Sequence, residues 1–170
     1  LYFAFSGRLK RRIMPFFICL SAMNPLNLPS ELPIARYRLH FTLRHDLQLP
    51  SYAASTLRGV FGHALLAAAC TCDTPQTPHL PDCPYAQIFE PAPCADLPGS
   101  VRQSPPPPYL IETPLVAPTH FPAGAGYAFD LVLFGRARHS LPLIAAVFAQ
   151  AFAKGLGANN AGKGELGGIA

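Results

Sequence analysis

Four cysteines in the middle of the chain have the residue type and spacing that metal binding requires. They form the pattern C-x-C-x10-C-x10-C, whose members are Cys70, Cys72, Cys83 and Cys94. Zinc sites usually contain C-x₂₋₄-C pairs, so the single-residue spacer is unusual, and His79 offers a further nitrogen ligand within the same stretch. Two interpretations stay open: a structural zinc ion that staples this loop, or reduced thiols in a proline-rich connection.

A titratable imidazole and a cation lie in the segment 50–70, which reads PSYAASTLRGVFGHALLAAAC. His63 is suited to general acid–base work because histidine titrates near neutral pH. The alternative is a solvated histidine on the polar side of an ordinary helix. Gly59 and Gly62 each cost a helix about 0.8–1.0 kcal/mol relative to alanine. They predict a bare backbone beside Arg58 that another backbone or a phosphate chain can approach.

The segment 155–164 is rich in glycine and follows a predicted helix. Gly157 to Lys163 matches the G-x-x-x-x-G-K spacing of a phosphate-binding P-loop. Gly164, however, supplies no hydroxyl for Mg²⁺, and a P-loop follows a strand rather than a helix. We therefore expect no nucleotide cofactor here.

Hydrophobic periodicity predicts the elements that position these groups. Residues 35–43 alternate with period two, which places Arg36 and Arg38 on the outward face of a first strand. Apolar residues at helical spacing predict a helix within 50–70, with Ser55 or Thr56 as its N-cap. The remaining predicted elements are strands at 109–111 and 127–134, a helix at 141–154 and a final strand from 165. The order β-α-β-β-α-(β) indicates an α+β protein with the ferredoxin-like split βαβ arrangement.

Composition bounds the class of protein. Half of the 170 residues are hydrophobic and 13% are charged, which excludes a disordered chain. The net charge of +4 is compatible with a polyanionic partner but does not require one. Five cysteines, an odd number, argue against a secreted disulfide framework. We therefore expect a cytoplasmic protein that has no membrane partner.

The N-terminal segment has a basic run followed by an apolar run, the order of a signal peptide. The apolar run is shorter than the ~20 residues that a membrane span needs. The chain opens with Leu1 rather than Met. We interpret residues 1–34 as an N-terminal extension, non-native or poorly ordered. Residues 35–170 then form the domain, with a Cys/Pro-rich insertion at 70–104.

Five ordered segments resemble one known family. Ser55–Leu65 resembles the signature S-x-L-R-G-x-F-G-H-A-L of the CRISPR-associated endoribonucleases that process precursor crRNA, which are Cas family number six in the RAMP superfamily. The other segments, in order, are YAQIFEP at 85–91, PPPYLIE at 106–112, FDLVLFGRA at 129–137 and the glycine-rich segment 155–164. The resemblance covers roughly residue 35 to the C-terminus. It implies a RAMP domain that is the first of two ferredoxin-like domains.

The resemblance also implies an activity and a set of site residues. The family cleaves RNA without a metal, by attack of a ribose 2′-OH on the adjacent phosphate. Tyr52 and His63 match the tyrosine and histidine that serve in several members, but no lysine follows His63 before Lys154. The implied RNA-binding residues are Arg36, Arg38, Arg58, Lys154, Gly157, Gly162 and Lys163, and the implied partners are CRISPR repeat RNA and other Cas effector subunits.

Two rival functions stay open at this point. One is a non-catalytic RAMP subunit that binds crRNA within an effector complex, which the missing lysine favours. The other is a zinc-stapled protein-interaction domain with no RNA partner. The enzyme would need no cofactor for catalysis, and the one cofactor that the sequence leaves open is structural zinc.

Overall fold

The structure is a computed structural model, and it describes residues 31–72, 79–80, 82–92 and 104–170. Residues 32–170 form one compact unit. Its strands are β1 Ile34–Leu43, β2 Leu47–Gln48, β3 Tyr109–Glu112, β4 His120–Phe121, β5 Gly126–Phe134 and β6 Gly164–Ile169. Its helices are α1 Ala53–Ala69, α2 Pro84–Ile88 and α3 Leu141–Lys154, with 3₁₀ turns at Gly135–Ser140 and Ala158–Asn160. The first thirty residues of the predicted extension lie outside the described part.

The strands form one main antiparallel sheet in the order β3-β5-β1-β6. The two-residue strands β2 and β4 pair with each other in a separate antiparallel ribbon. The protein is therefore of the mixed α+β class, with an architecture compatible with a ferredoxin-like fold. None of the helices in the described ranges is both long and apolar enough to cross a bilayer.

The core lies between one face of this sheet and the helices α1 and α3. The alternation predicted for β1 is confirmed: Leu39, Phe41 and Leu43 are buried, whereas Arg36 and Arg38 are exposed on the opposite face. Aromatic rings fill much of the core, and Phe41 stacks on Phe152 of α3 with ring centroids 3.8 Å apart.

The two long helices differ in how well the sequence predicts their ends. The predicted helix at 141–154 is confirmed, with a proline in its first turn. The predicted cap of α1 is wrong, because α1 begins at Ala53 and has no side-chain cap hydrogen bond. Ser55 lies inside the first turn, and its hydroxyl donates to the Tyr52 carbonyl at 3.1 Å.

The sequence does not predict the short helix α2, which lies within the Cys/Pro-rich insertion.

Only one of the two glycines of α1 leaves the backbone bare. A Cβ at Gly59 would meet nothing within 4 Å, so the predicted open backbone exists there. A Cβ at Gly62 would lie 2.4 Å from the Phe89 ring. The prediction is therefore wrong at Gly62, where an aromatic side chain from the insertion occupies the space.

The glycine-rich segment packs closely against β2. Gly157 has a φ of +79°, and a Cβ there would lie 2.3 Å from the Gln48 carbonyl oxygen. A Cβ at Gly162 would lie 2.4 Å from a methyl carbon of Leu47. Close packing therefore accounts for glycine at both positions, and the positive φ is a second reason at Gly157.

We expect opposite stability changes from two glycine-to-alanine substitutions. Gly157→Ala should destabilise the fold by about 1–3 kcal/mol, because alanine is strained at positive φ and its methyl group would overlap a backbone oxygen. Gly59→Ala, the matched control, should stabilise the fold by up to about 1 kcal/mol, because it only restores helix propensity. Urea denaturation measures both changes. An unchanged midpoint for Gly157→Ala would contradict the packing of this segment on β2.

Candidate metal centre and cationic surface

Three cysteines and one histidine converge at the C-terminal end of α1. Cys70, Cys72, His79 and Cys83 place one ligand atom each within 4.8 Å of all the others. The His79 Nδ1 lies 3.4 Å from Cys72 Sγ and 3.6 Å from Cys70 Sγ, and the Cys83 and Cys70 sulfurs are 3.9 Å apart. This cluster could hold a metal ion such as zinc. Of the predicted ligands, Cys94 lies outside the described residues, and His79 is the fourth member of the cluster.

The spacing of these atoms fits a tetrahedral site. With Zn–S near 2.3 Å and Zn–N near 2.0 Å, a tetrahedron has S···S edges of about 3.8 Å and S···N edges of about 3.5 Å. The three individual distances above agree with those edges to within a few tenths of an ångström, and the remaining ligand atoms lie within 4.8 Å of one another. A Cys₃His donor set is also one that structural zinc sites use.

The protein environment favours a thiolate at one of the ligands. Burial acts to raise the pKa of Cys83, but backbone N–H groups of Ala86, Thr71 and Tyr85 outweigh it and lower this pKa to about 6. The Leu80 N–H acts to lower the pKa of Cys72, yet burial and the neighbouring thiols raise it overall. A thiolate is the form that binds metal, so Cys83 is prepared for ligation near neutral pH.

The cluster is joined directly to the short helix α2. Cys83 is the N-cap of α2, and the His79 ring lies 4.9 Å from the ring of Tyr85, in the first turn of that helix. Tyr85 in turn stacks on Phe89, just after α2, at 5.5 Å. Phe89 is the ring that fills the space over Gly62. The metal ligands and the middle of α1 are therefore linked by a short series of ring contacts.

Arg58 lies on top of this aromatic group. Its guanidinium carbon is 5.0 Å from the centroid of the Phe89 ring and 5.7 Å from that of Tyr109. Burial raises the pKa of Tyr109 to about 12, although the Arg58 charge opposes this shift. Arg58 also lines a groove of about 960 Å³ together with Arg136 and Glu90. The cation–π contacts fix the position of an exposed arginine beside an open groove.

The other predicted arginines are neutralised by carboxylates. Arg38 donates two hydrogen bonds to Asp130, at 2.7 and 2.9 Å, and Arg36 donates to Asp130 and Glu112, each at 2.7 Å. Asp130 is only 6% exposed, and its hydrogen bond from Arg38 outweighs burial to lower its pKa to about 2. Two guanidiniums and two carboxylates leave no net charge, so this face is not the bare basic surface that the sequence predicts.

The predicted catalytic residues lie at different points on α1. Tyr52 is the N-cap, 61% exposed, and lines a cavity with Arg36 and Arg38. His63 is exposed eleven residues further along, which corresponds to about 16 Å along a helix axis. The structure therefore does not bring the two together. His63 does lie one turn after Gly59, on the same side of α1, so the imidazole is next to the open backbone.

The lysines of the glycine-rich segment are exposed, but not every backbone N–H group in the segment is free to bind a ligand. Lys154 and Lys163 are exposed at the two ends of the segment. The resemblance implies Gly162 as an RNA-binding residue, but it is buried and its N–H already donates to the Leu156 carbonyl at 3.0 Å. Gly157 is half-buried against β2.

Comparison with known proteins identifies the family but no activity. A family model, AF_1859_N, described as an N-terminal domain, matches residues 32–170. The chain belongs to this family. No curated protein and no solved structure matches it. The AF_1859_N match begins two residues before β1. It covers the metal cluster, the groove beside Arg58, the sheet face that carries Arg36 and Arg38, and the glycine-rich segment.

The buried carboxylate of Asp130 should make stability depend on pH in acid. Its folded pKa of about 2 lies below the ordinary 3.8, so the carboxylate stabilises the fold fully above about pH 4, and this contribution is lost as the pH falls through 2. With a discount for its exposed arginine partners, we expect about 1–2 kcal/mol. Urea denaturation from pH 6 to pH 2 should show this loss.

The control is a pair of amide variants. Asp130→Asn should lower stability at pH 6 and flatten the acid dependence, because the titrating group is gone. Glu165→Gln, which removes the carboxylate paired with Arg44 on the surface, should change little, because both partners are more than 60% exposed. Equal effects of the two variants would contradict a special role for Asp130.

Proposed function

We propose that this AF_1859_N domain is a ferredoxin-like RAMP domain that binds CRISPR repeat RNA and takes part in the cleavage of precursor crRNA. The observation that carries this proposal is the sheet order, taken with the signature on α1. The ferredoxin-like fold repeats the split βαβ unit. Its four strands, numbered along the chain, lie side by side in the order two, three, one, four. The order β3-β5-β1-β6 matches that requirement when β1, β3, β5 and β6 are counted as strands one to four.

The surface of α1 supports the chemistry of this proposal. His63 is exposed beside the open backbone at Gly59, where an RNA strand can approach closely. An imidazole there can remove the proton of a 2′-OH or protonate the leaving 5′ oxygen. Arg58 and the lysines at either end of the glycine-rich segment supply positive charge for the RNA backbone. Such a reaction leaves a 2′,3′-cyclic phosphate and a 5′-OH.

One observation favours the non-catalytic alternative. Tyr52 and His63 are about three helical turns apart, so they do not form the acid–base pair that the resemblance implies. A crRNA-binding subunit of an effector complex needs the same positive surface but not that pair. The enzyme and the subunit therefore differ in one measurable property, cleavage of the bound RNA.

We further propose that the Cys₃His cluster holds a structural zinc ion. Cys70, Cys72, His79 and Cys83 would hold it with all four positions filled, which leaves no open position for water or substrate. When bound, zinc supplies cross-linking rather than Lewis-acid chemistry. Zinc would fasten the start of α2, within the insertion, to the end of α1.

We expect the full-length protein to cleave a CRISPR repeat transcript from the same genome in buffer without added divalent metal. His63→Ala should lower the cleavage rate by about 10²-fold or more, because general acid–base catalysis contributes 10²–10⁴-fold. RNA affinity should change less than twofold. Gel analysis of the products and filter binding measure the two effects, and a 2′-deoxy substitution at the cleaved nucleotide should block the reaction.

The matched control for this experiment is His139→Ala, which removes an exposed histidine outside α1. It should leave the rate unchanged. Binding without cleavage by the unaltered protein would favour the non-catalytic subunit and reject the enzyme. No binding at all would reject the RNA partner.

We expect the purified protein to contain one zinc ion per chain. His79→Ala and Cys83→Ser should each lose the metal or weaken its binding, because each removes one of four ligands. Elemental analysis measures the stoichiometry. Replacement by Co²⁺ should give the intense thiolate absorption of a site with three sulfur ligands.

Cys94→Ser is the matched control for metal binding. Among the described residues, four ligands already fill a tetrahedral site, so Cys94→Ser should keep its zinc. Loss of zinc from Cys94→Ser with retention in His79→Ala would reject the Cys₃His assignment and favour the four-cysteine set.

A further inference from the structure

Two arginines that have no carboxylate partner within the described ranges line the same groove. Among the described residues, Arg36, Arg38 and Arg44 are all ion-paired. No ion pair in the described part of the chain involves Arg58 or Arg136, and both line the same groove of about 960 Å³. Unpaired guanidiniums facing a groove are the groups that bind phosphate oxygens most effectively.

The walls of this groove suit a single nucleic-acid strand. Phe89 and Phe134 line it, together with the prolines at positions 105, 107 and 108, so much of the wall is apolar. Glu90 contributes one carboxylate, which accepts a hydrogen bond from the Tyr85 hydroxyl at 3.0 Å. The two arginines and one carboxylate therefore give the lining of the groove a net positive charge. The volume is that of a site for an extended ligand rather than a single ion.

The position of Arg58 depends on the metal loop. Its guanidinium rests on Phe89, and Phe89 is held between the Gly62 surface of α1 and the ring of Tyr85. Tyr85 lies in α2, which begins directly after the ligand Cys83 and contacts the ring of His79. A five-residue helix has too little internal stability to form alone. Together with the buried side chains of Tyr85, Ala86 and Ile88, its attachment at Cys83 therefore helps to hold Phe89 beneath Arg58.

We propose that metal binding at the Cys₃His cluster builds a phosphodiester site for single-stranded RNA, formed by Arg58 on its Phe89 support and by Arg136 in the same groove. This inference rests on the proposed function, and it names the surface and the condition under which RNA binds. With metal bound, α2 is anchored and Arg58 is fixed over the groove. Without metal, α2 loses its attachment at Cys83, Phe89 and Arg58 are held less firmly, and the cost of fixing Arg58 is added to RNA binding.

RNA affinity tests the groove. The probe is a fluorescently labelled single-stranded oligouridylate, titrated with the zinc-loaded full-length protein over a range of salt concentrations. Arg58→Ala and Arg136→Ala should each weaken binding about fivefold and reduce the salt slope by about 0.7, the value for one phosphate contact on a single strand. Arg44→Ala, which removes an equal charge outside the groove, should weaken binding less than twofold.

A second comparison tests the dependence on metal. Chelation should weaken RNA binding by the unaltered protein about as much as Arg58→Ala does, and should have little further effect on the Arg58→Ala protein, because both act through the same contact. Phe89→Leu keeps an apolar side chain over Gly62 but removes the aromatic support, and should also weaken binding. In NMR spectra, the Arg58 side-chain resonances should carry ring-current shifts that decrease on chelation, because the contribution of Phe89 is lost while Tyr109 stays in β3.

The outcomes separate this inference from the function on which it rests. If the zinc-loaded protein binds neither the oligouridylate nor repeat RNA, the proposed function is wrong and the groove proposal with it. If RNA binds but Arg58→Ala behaves like Arg44→Ala, only the groove proposal is wrong. If Arg58 keeps its ring-current shifts after chelation, the metal dependence is wrong whatever the affinity.

Discussion

A continuous series of aromatic contacts joins the hydrophobic core to the candidate site. The rings lie in the order Phe152, Phe41, Phe129, Phe148, Phe61 and Phe89, with successive centroids 3.8 to 6.1 Å apart. The first five fix the sheet against α1 and α3, and the last lies under Arg58. Because interiors are packed densely, a ring in this series cannot move without disturbing its neighbours. The packed rings of the core therefore support Arg58, although this side chain is exposed.

The distribution of charge separates structural arginines from those available to a ligand. On the outward face of the sheet, a buried carboxylate at Asp130 fixes two guanidiniums and cancels much of their field. An incoming phosphate would have to compete with that carboxylate for the same donors. At the groove, Arg58 makes contacts with aromatic rings, which fix its position without neutralising its charge. The two surfaces have equal numbers of arginines but differ in what they can bind.

Local signals in the sequence predict the long elements but neither the short ones nor the site. Strict alternation along β1 and helical spacing along α3 reflect burial against one partner, so both elements are predictable. The two-residue strands β2 and β4 are too short to show a period. The contact of Phe89 with Gly62 and the pairing of Asp130 with Arg38 join residues distant in sequence, and no local pattern reports them. His79 was considered as a ligand, but only the folded loop shows that it lies within reach of three thiols.

Glycine is required for different structural reasons at different positions of this chain. RNA binding is therefore not needed to explain every one of these glycines. Gly62 accommodates an aromatic ring, Gly157 adopts a positive φ against β2, and Gly162 is buried with its N–H already donated. Gly59 alone, among these four, has open space around it. The spacing of Gly59 and His63 by one helical turn then places the bare backbone and the imidazole on one side of α1. Gly59, His63 and the neighbouring Arg58 are therefore exposed together without the packed glycines, so the open surface of α1 is smaller than its glycine signature suggests.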